Sequence, residues 1–347
     1  MPIKVLVVDD SAFMRKLISE IINAEADLEA VATARNGQDA LNKLARLDID
    51  VVTLDVEMPV MDGLEALRHI MSTKPLPVVM LSSMTKKGSD TTMQALALGA
   101  VDFIPKPSGS ISLDLKDIAA LIVEKVRLAA KAQVREIKKT SPLPRAVRPK
   151  VFPPAAAGAA EKLVIIGSST GGPRAVEEVF GQLPRNLPAG ILVVQHMPAH
   201  FTRSFAERLD ALFSFPVKEA ADGDLIENSK VLIAPGDFHL LVGQDRRVHL
   251  NQSDKVMFLR PAIDVTMASL ISVYGSKILG VILTGMGRDG AQGMAKIKAA
   301  GGITIAQDQN SSTIYSMPRA AAEEGNADYI LPLNRIGEAI SKIVPIM

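Results

Sequence analysis

Cysteine is missing from all 347 residues. Its absence excludes disulfides, a thiol nucleophile and thiolate-held metals, and it fits a reducing compartment. Covalent chemistry therefore falls to serine, threonine or aspartate, unless a lysine performs it. Long apolar runs are missing too. The run "VLVV" at residues 5–8 meets Asp9 and Asp10 at once, and no uninterrupted stretch approaches the ~18 residues a membrane span needs. Neither a signal peptide nor membrane insertion is expected, and the expected location is cytoplasmic. Charge of one sign is also lacking, since a net charge of +1 nominates neither nucleic acid nor a membrane surface. Aromatic residues make up only 4% of the chain, and its second half shows no helix-turn-helix or basic stripe, which argues against a nucleic-acid partner.

What remains is an ordinary globular composition, 48% hydrophobic and 22% charged, on a chain long enough for two cores. Up to about residue 125, "KVLVVDD", "LEAVATA", "DVVTLDV", "PVVMLSS" and "AVDFIPK" read as five strands. Helical patterns such as "AFMRKLISEII" and "GLEALRHIM" lie between them, so a parallel sheet covered on both faces is expected. A second alternating series runs through "LVIIGS", "GILVVQHM", "SKVLIAPG", "SKILGVILTG", "GGITIAQD" and "ADYILPL". Short strands and turns over 216–251 suggest an antiparallel excursion at one edge of that sheet. Between the series, residues 125–150 carry nine Lys or Arg against the single acid Glu136 and pass into a Pro- and Ala-dense stretch. The expected division is a first domain over 1–124, a helix end and linker over 125–160, and a second domain over 161–347.

In the first domain Asp9 and Asp10 end the first predicted strand and Asp55 ends the third. Strand ends beside a topological switch point share one crevice, so the three carboxylates are expected to converge. Such crowding is costly without a hard divalent cation, which points to magnesium and oxygen ligands. Ser82 and Lys106, ending the fourth and fifth strands, add a hydroxyl and a cation to the same rim. With "VVDDS", "TLDVEMPVMDG", "MLSS" and "DFIPKP" in these places, the first 120 or so residues resemble the receiver domain of bacterial response regulators. The resemblance implies that Asp55 accepts a phosphoryl group from the phosphohistidine of a chemotaxis sensor kinase. It implies Mg²⁺ held by Asp10, Asp55 and the main-chain carbonyl of Glu57, with Asp9 acting through water. Ser82, Phe103 and Lys106 would report the phosphate to the outer face.

In the second domain, Gly167 and Gly171 flank Ser169 as G-x-S-x-G, a spacing that exposes a serine on a tight strand-to-helix turn. Ser168 lacks that flanking. A helix starting near Pro173 would bring backbone N–H groups close, and the same geometry binds phosphate without catalysis. A general base separates the two readings. Of five histidines, His196 ends a strand beside the one that delivers Ser169. His69 reads as a surface residue, His239 and His249 lie in the turn-rich excursion, and Pro198 argues against a His196–His200 metal pair on one helix. Asp289, in "GMGRDG" after a third strand, is either the N-cap of a following helix or the acid that orients an imidazolium.

"IGSSTGG", "QHMPAHFTRSFAERL", "IAPGDFHL", "GVILTGMGRDG" and "TIAQD" carry a second resemblance over about 161–345, to the protein-glutamate methylesterases of bacterial chemotaxis. It implies Ser169 as nucleophile, His196 as base and Asp289 as orienting acid, with the backbone of Thr170 or Met286 as oxyanion donors. It also implies methyl-accepting chemoreceptors as substrates, no cofactor for ester hydrolysis, and a related deamidation of receptor glutamines. Ser168 and Arg288 depart from that family's usual alanine and asparagine. The expected fold is thus α/β in two domains, a five-stranded parallel flavodoxin-like receiver and a mostly parallel α/β serine hydrolase.

Overall fold

The structure, a computed structural model, describes residues 1–106, 115–134 and 158–347. It divides into two compact units. Most of the linker reading over 125–160 lies outside the described residues.

In the first unit the order is β1 (Ile3–Val8), α1 (Ala12–Asn23), β2 (Leu28–Ala34), α2 (Gly37–Leu44), β3 (Val51–Asp55), α3 (Gly63–Thr73), β4 (Val78–Ser82), α4 (Lys86–Ala97), β5 (Asp102–Pro105) and α5 (Leu115–Ala130). Polar side chains start the first four helices: Ser11, Asn36, Asp62 and Thr85 each accept the backbone N–H three residues on, satisfying donors that the first turn leaves unpaired. The strands pair in parallel in the order β2-β1-β3-β4-β5. β3 and β4 are buried along their whole length because helices cover both faces. The chain turns outward in opposite directions from β1 and β3, and the carboxyl ends of these two strands bound the crevice.

The second unit continues with β6 (Leu163–Ser168), α6 (Gly172–Phe180), β7 (Gly190–Gln195), α7 (Phe201–Leu212), β8 (Val217–Glu219), β9 (Val231–Ile233), β10 (His239–Val242), β11 (Val248–Asn251), α8 (Ile263–Tyr274), β12 (Ile278–Ile282), α9 (Ala291–Ala299), β13 (Ile303–Gln307), α10 (Met317–Glu323), β14 (Tyr329–Leu331) and α11 (Leu333–Ile343). Seven strands form one parallel sheet, β14-β13-β12-β6-β7-β9-β8. From β6 the chain first builds one arm, then crosses back to build the other from β12 outward, so the switch point lies between β6 and β12. The excursion over 216–251 is of two kinds. β8 and β9 join the main sheet in parallel, and only β10 and β11 pair antiparallel, as a separate hairpin. That hairpin leans on α8, where the Ser269 hydroxyl accepts the Val242 N–H at 3.1 Å.

Candidate active site

Register builds the site. Ser168 pairs with Gln195 across β6 and β7, and Gly167 pairs with Ile282 across β6 and β12. The residues just past those pairs, Ser169 and His196, therefore emerge side by side at the carboxyl edge. His196 N–H donates to Ser168 O at 3.0 Å, and Ser169 N–H donates to Thr284 O at 3.0 Å. The two adjacent serines have separate tasks. Ser168 is fully buried and its hydroxyl donates to Gln195 Oε1 at 2.6 Å. The Gln195 amide then donates to the carbonyls of Ser169 and His196 at 2.9 and 3.1 Å, fixing both backbones. Ser169 is only half-buried. Gly171 caps α6 at φ +76°, a left-handed turn where a side chain would also meet the Thr313 hydroxyl at 2.5 Å. At Gly285 a Cβ would stand 2.8 Å from Ser169 Cβ, so glycine there keeps the serine's turn free.

His196 Nε2 lies 2.8 Å from Asp289 Oδ2. The pair is nearly dry, with Asp289 only 1% exposed. Asp289 Oδ2 also accepts the Ile263 N–H at 2.7 Å, and Oδ1 accepts the Asp264 N–H at 2.9 Å. Burial alone would raise this carboxyl's pKa, but the His196 hydrogen bond and charge, with the two amides, outweigh it and hold it below the ordinary value. Asp289 thus remains the anion, and its Oδ2 is the acceptor for a hydrogen bond from His196 Nε2. Nδ1 is then the nitrogen with a lone pair to spare. Among the described residues no hydrogen bond joins Ser169 Oγ to His196, so the arm between acid and base is closed while that between base and hydroxyl is open, as in many resting hydrolases.

Asp289 is next to α9, yet its carboxylate caps α8. Thr170 is buried and Met286 is 40% exposed, its N–H without an acceptor among the described residues. Arg288 is exposed and ion-paired with Glu324. His69, His200 and His249 are exposed, while His239 is buried, its ring between the Asp254 carbonyl at 3.1 Å and the Ala262 N–H at 3.3 Å. Two supporting residues escape a motif reading. Gln195 shows in the sequence only as a lone amide ending an apolar strand, and Asp264 only as an acid at the start of an apolar helix.

At the carboxyl edge of the first unit, one oxygen from each of Asp9, Asp10 and Asp55 falls within a 4.8 Å cluster. Lys106 Nζ lies 2.9 Å from Asp9 Oδ2 and 2.8 Å from Asp55 Oδ1. Burial pushes the Asp55 pKa up to about 6, against the pull of Lys106 and with the help of the Asp9 charge. Burial works against the Lys106 ammonium, but the two carboxylates prevail and raise its pKa. Asp9 Oδ2 is buried without a hydrogen-bond partner; Lys106 approaches it only as an ion pair. Three carboxylates gathered this closely are hard oxygen donors that fit a magnesium ion, and this is the acidic cluster typical of a Mg²⁺-dependent phosphorylation site. The Ser82 hydroxyl donates to Gly88 O at 3.1 Å, Phe103 is buried, and the exposed Glu57 carboxylate pairs with Lys87 at 3.1 Å. No helix among the described residues is long and apolar enough to cross a membrane.

Comparison with known proteins agrees for both units. Residues 164–340 match the model of the CheB methylesterase family, and residues 5–116 match that of the response regulator receiver domain. The protein-glutamate methylesterase/protein-glutamine glutaminase of Pyrococcus horikoshii is 48% identical, with 99% of this chain and 94% of that protein covered. Its counterpart in Thermotoga maritima is 46% identical, covering 99% and 98%. The crystal structure of the Thermotoga maritima CheB methylesterase catalytic domain superposes with a TM-score of 0.51 at 48% identity, over 53% of this chain and 98% of that one.

Proposed function

Because the chain belongs to the CheB methylesterase family and carries a receiver domain ahead of the catalytic one, we propose that Ser169, His196 and Asp289 are its catalytic triad. The activity is that of a protein-glutamate methylesterase and protein-glutamine glutaminase serving chemotaxis adaptation. The observation that carries the assignment is the dry His196–Asp289 contact beside Ser169, whose hydroxyl, unlike that of Ser168, is not spent on Gln195.

His196 Nδ1 takes the Ser169 proton as Oγ attacks the γ-carbonyl of the glutamyl ester. Asp289, held by two amides, keeps the ring oriented and stabilises the imidazolium. The backbone N–H of Thr170 or Met286 would stabilise the developing oxyanion. Collapse breaks the bond to the methoxy oxygen, which leaves as methanol with the proton from His196. A glutamyl ester on Ser169 remains. His196 then deprotonates water, which attacks that ester, and the second collapse releases the glutamate carboxylate and returns the proton to Ser169. With a glutamine side chain, ammonia leaves instead.

The substrates are methyl-accepting chemoreceptors, and a chemotaxis histidine kinase supplies the phosphoryl group to Asp55. Asp10, Asp55 and the Glu57 carbonyl would hold Mg²⁺, with Asp9 acting through water, and Ser82, Phe103 and Lys106 would respond to the phosphate. The ion, when bound, offsets the charge of the crowded carboxylates and of the phosphate. Phosphorylation raises the esterase rate, and the protein works in the cytoplasm. The test is methanol release from methylated receptor with and without a small phosphodonor and Mg²⁺, alongside labelling by a fluorophosphonate. Label on a residue other than Ser169 overturns the triad.

A further inference from the structure

The loop from Gln252 to Ala262 runs directly into the Ile263 and Asp264 amides that hold Asp289. Its tip is a tight reversal. Val256 and Leu259 exchange backbone hydrogen bonds at 3.1 and 2.9 Å, and the two residues between them, Met257 and Phe258, have φ of +50° and +63°. Consecutive left-handed residues in a two-residue turn favour Asn-Gly, because any larger side chain crowds its own backbone. Here a thioether and a phenyl ring occupy those places. Phe258 is 95% exposed, Met257 46% and Val256 37%.

The base beneath the tip is fixed. The Arg260 guanidinium donates to Asp237 Oδ1 at 2.6 and 3.1 Å, and to the Gln252 and Ser253 carbonyls at 2.9 Å each. The buried His239 ring ties Asp254 to Ala262. Gly236, beside Asp237, packs so closely on Pro198 and Ala199 that a Cβ there would clash with their backbone. Those two residues follow His196 almost at once, so the loop stands beside the base at the catalytic edge. For the isolated chain, Phe258 supplies almost no packing, Met257 leaves about half its surface uncovered, and neither residue favours the turn.

We propose that Met257 and Phe258 form a docking knob that seats in an apolar groove of the protein substrate and brings its glutamyl ester to Ser169. This rests on the esterase reading above. The occupant follows from the reaction. The reacting group hangs on a protein, so each turnover brings a protein surface to this edge, and a methyl ester alone offers few atoms for affinity. A rigidly mounted aromatic side chain is the usual anchor of such contacts, and methionine adapts to partners of differing shape.

The test gives the turn its preferred residues, Met257→Asn with Phe258→Gly, in the full chain. KM for methylated receptor should rise on the order of 10-fold, with kcat and the rate of Ser169 labelling by a fluorophosphonate within about 2-fold of wild type. The melting temperature should rise by about 2 to 4 °C as the backbone relaxes. An unchanged KM overturns the proposal, and so does a lower melting temperature, which would make the pair part of the fold. Two further outcomes with unchanged KM reassign the knob: higher activity without phosphodonor points to the chain's own receiver, and a change of oligomeric state relative to wild type points to a second copy. Failure of the esterase reading shows separately, as wild-type protein that does not label at Ser169.

Discussion

Asp289 and Asp264 cap each other's helices. Asp289 lies immediately before α9, yet its oxygens accept the Ile263 and Asp264 amides that open α8. Asp264, in the first turn of α8, accepts the Gly293 N–H in the first turn of α9 at 2.6 Å. The exchange joins two helix N-termini beneath His196 and leaves Asp289 little freedom to turn. Orientation of the base is therefore set by helix packing as well as by one hydrogen bond.

Replacing Ser169 by alanine should lower methanol release by on the order of 10³ to 10⁶ with the fold intact. Replacing Ser168 should give the opposite pattern. Catalysis falls by less than about 10-fold, while stability drops by about 1 to 3 kcal/mol because the buried Gln195 oxygen loses its donor. Rates and melting curves on both variants check the division, and equal losses of rate in two folded proteins refute it.

Asp289→Asn should cut kcat by on the order of 10² to 10⁴. An unchanged kcat in a folded variant would leave Asp289 with its capping role alone.

Asp264 gives a pH dependence of stability. Burial, aided by the Asp289 charge, raises its pKa from 3.8 to about 6, despite the opposing Gly293 amide and Lys296. The folded chain thus holds this proton more tightly than the unfolded chain does. Its stabilising share is full below pH 3.8 and is lost as pH rises to about 6. Asp264→Asn, which keeps an acceptor for Gly293, should melt increasingly above wild type across that window and hold a constant lead beyond it. Denaturation curves from pH 3.5 to 8 measure the gap.

A small phosphodonor with Mg²⁺ should raise the esterase rate of the intact chain by roughly 5- to 150-fold, the usual range of coupling between two sites. Asp55→Asn should keep the basal rate and lose the response. Initial rates on one methylated receptor preparation decide it. A response that survives in Asp55→Asn places the phosphoryl group elsewhere.

Much of this was legible because strand ends are local. "VVDDS" and "TLDV" bring Asp9, Asp10 and Asp55 to neighbouring ends, and "IGSSTGG" with "VVQHM" does the same for Ser169 and His196, once parallel pairing is assumed. The start of α8 was not legible. Its N-cap, Ala262, offers no side-chain bond, and the acceptors for its first amides come from His239 and Asp289, 23 and 26 residues away along the chain. The parallel β8 hid for a related reason: at three residues it is too short to carry a period, whereas β9 shows in "SKVLIAPG". Nothing in the composition of "KVMFL" shows that its middle residues take a glycine-like backbone.

The double duty of Asp289 bears on how such a chain would decay. A lineage released from selection for hydrolysis could lose the Ser169 hydroxyl without disturbing any other bond described here, whereas losing Asp289 strips acceptors from two helix amides in a dry site. Inactive descendants should therefore forfeit the nucleophile first and keep the acid longest. In a genome survey, a surviving aspartate at this position would mark ancestry, and only the serine would mark a living enzyme.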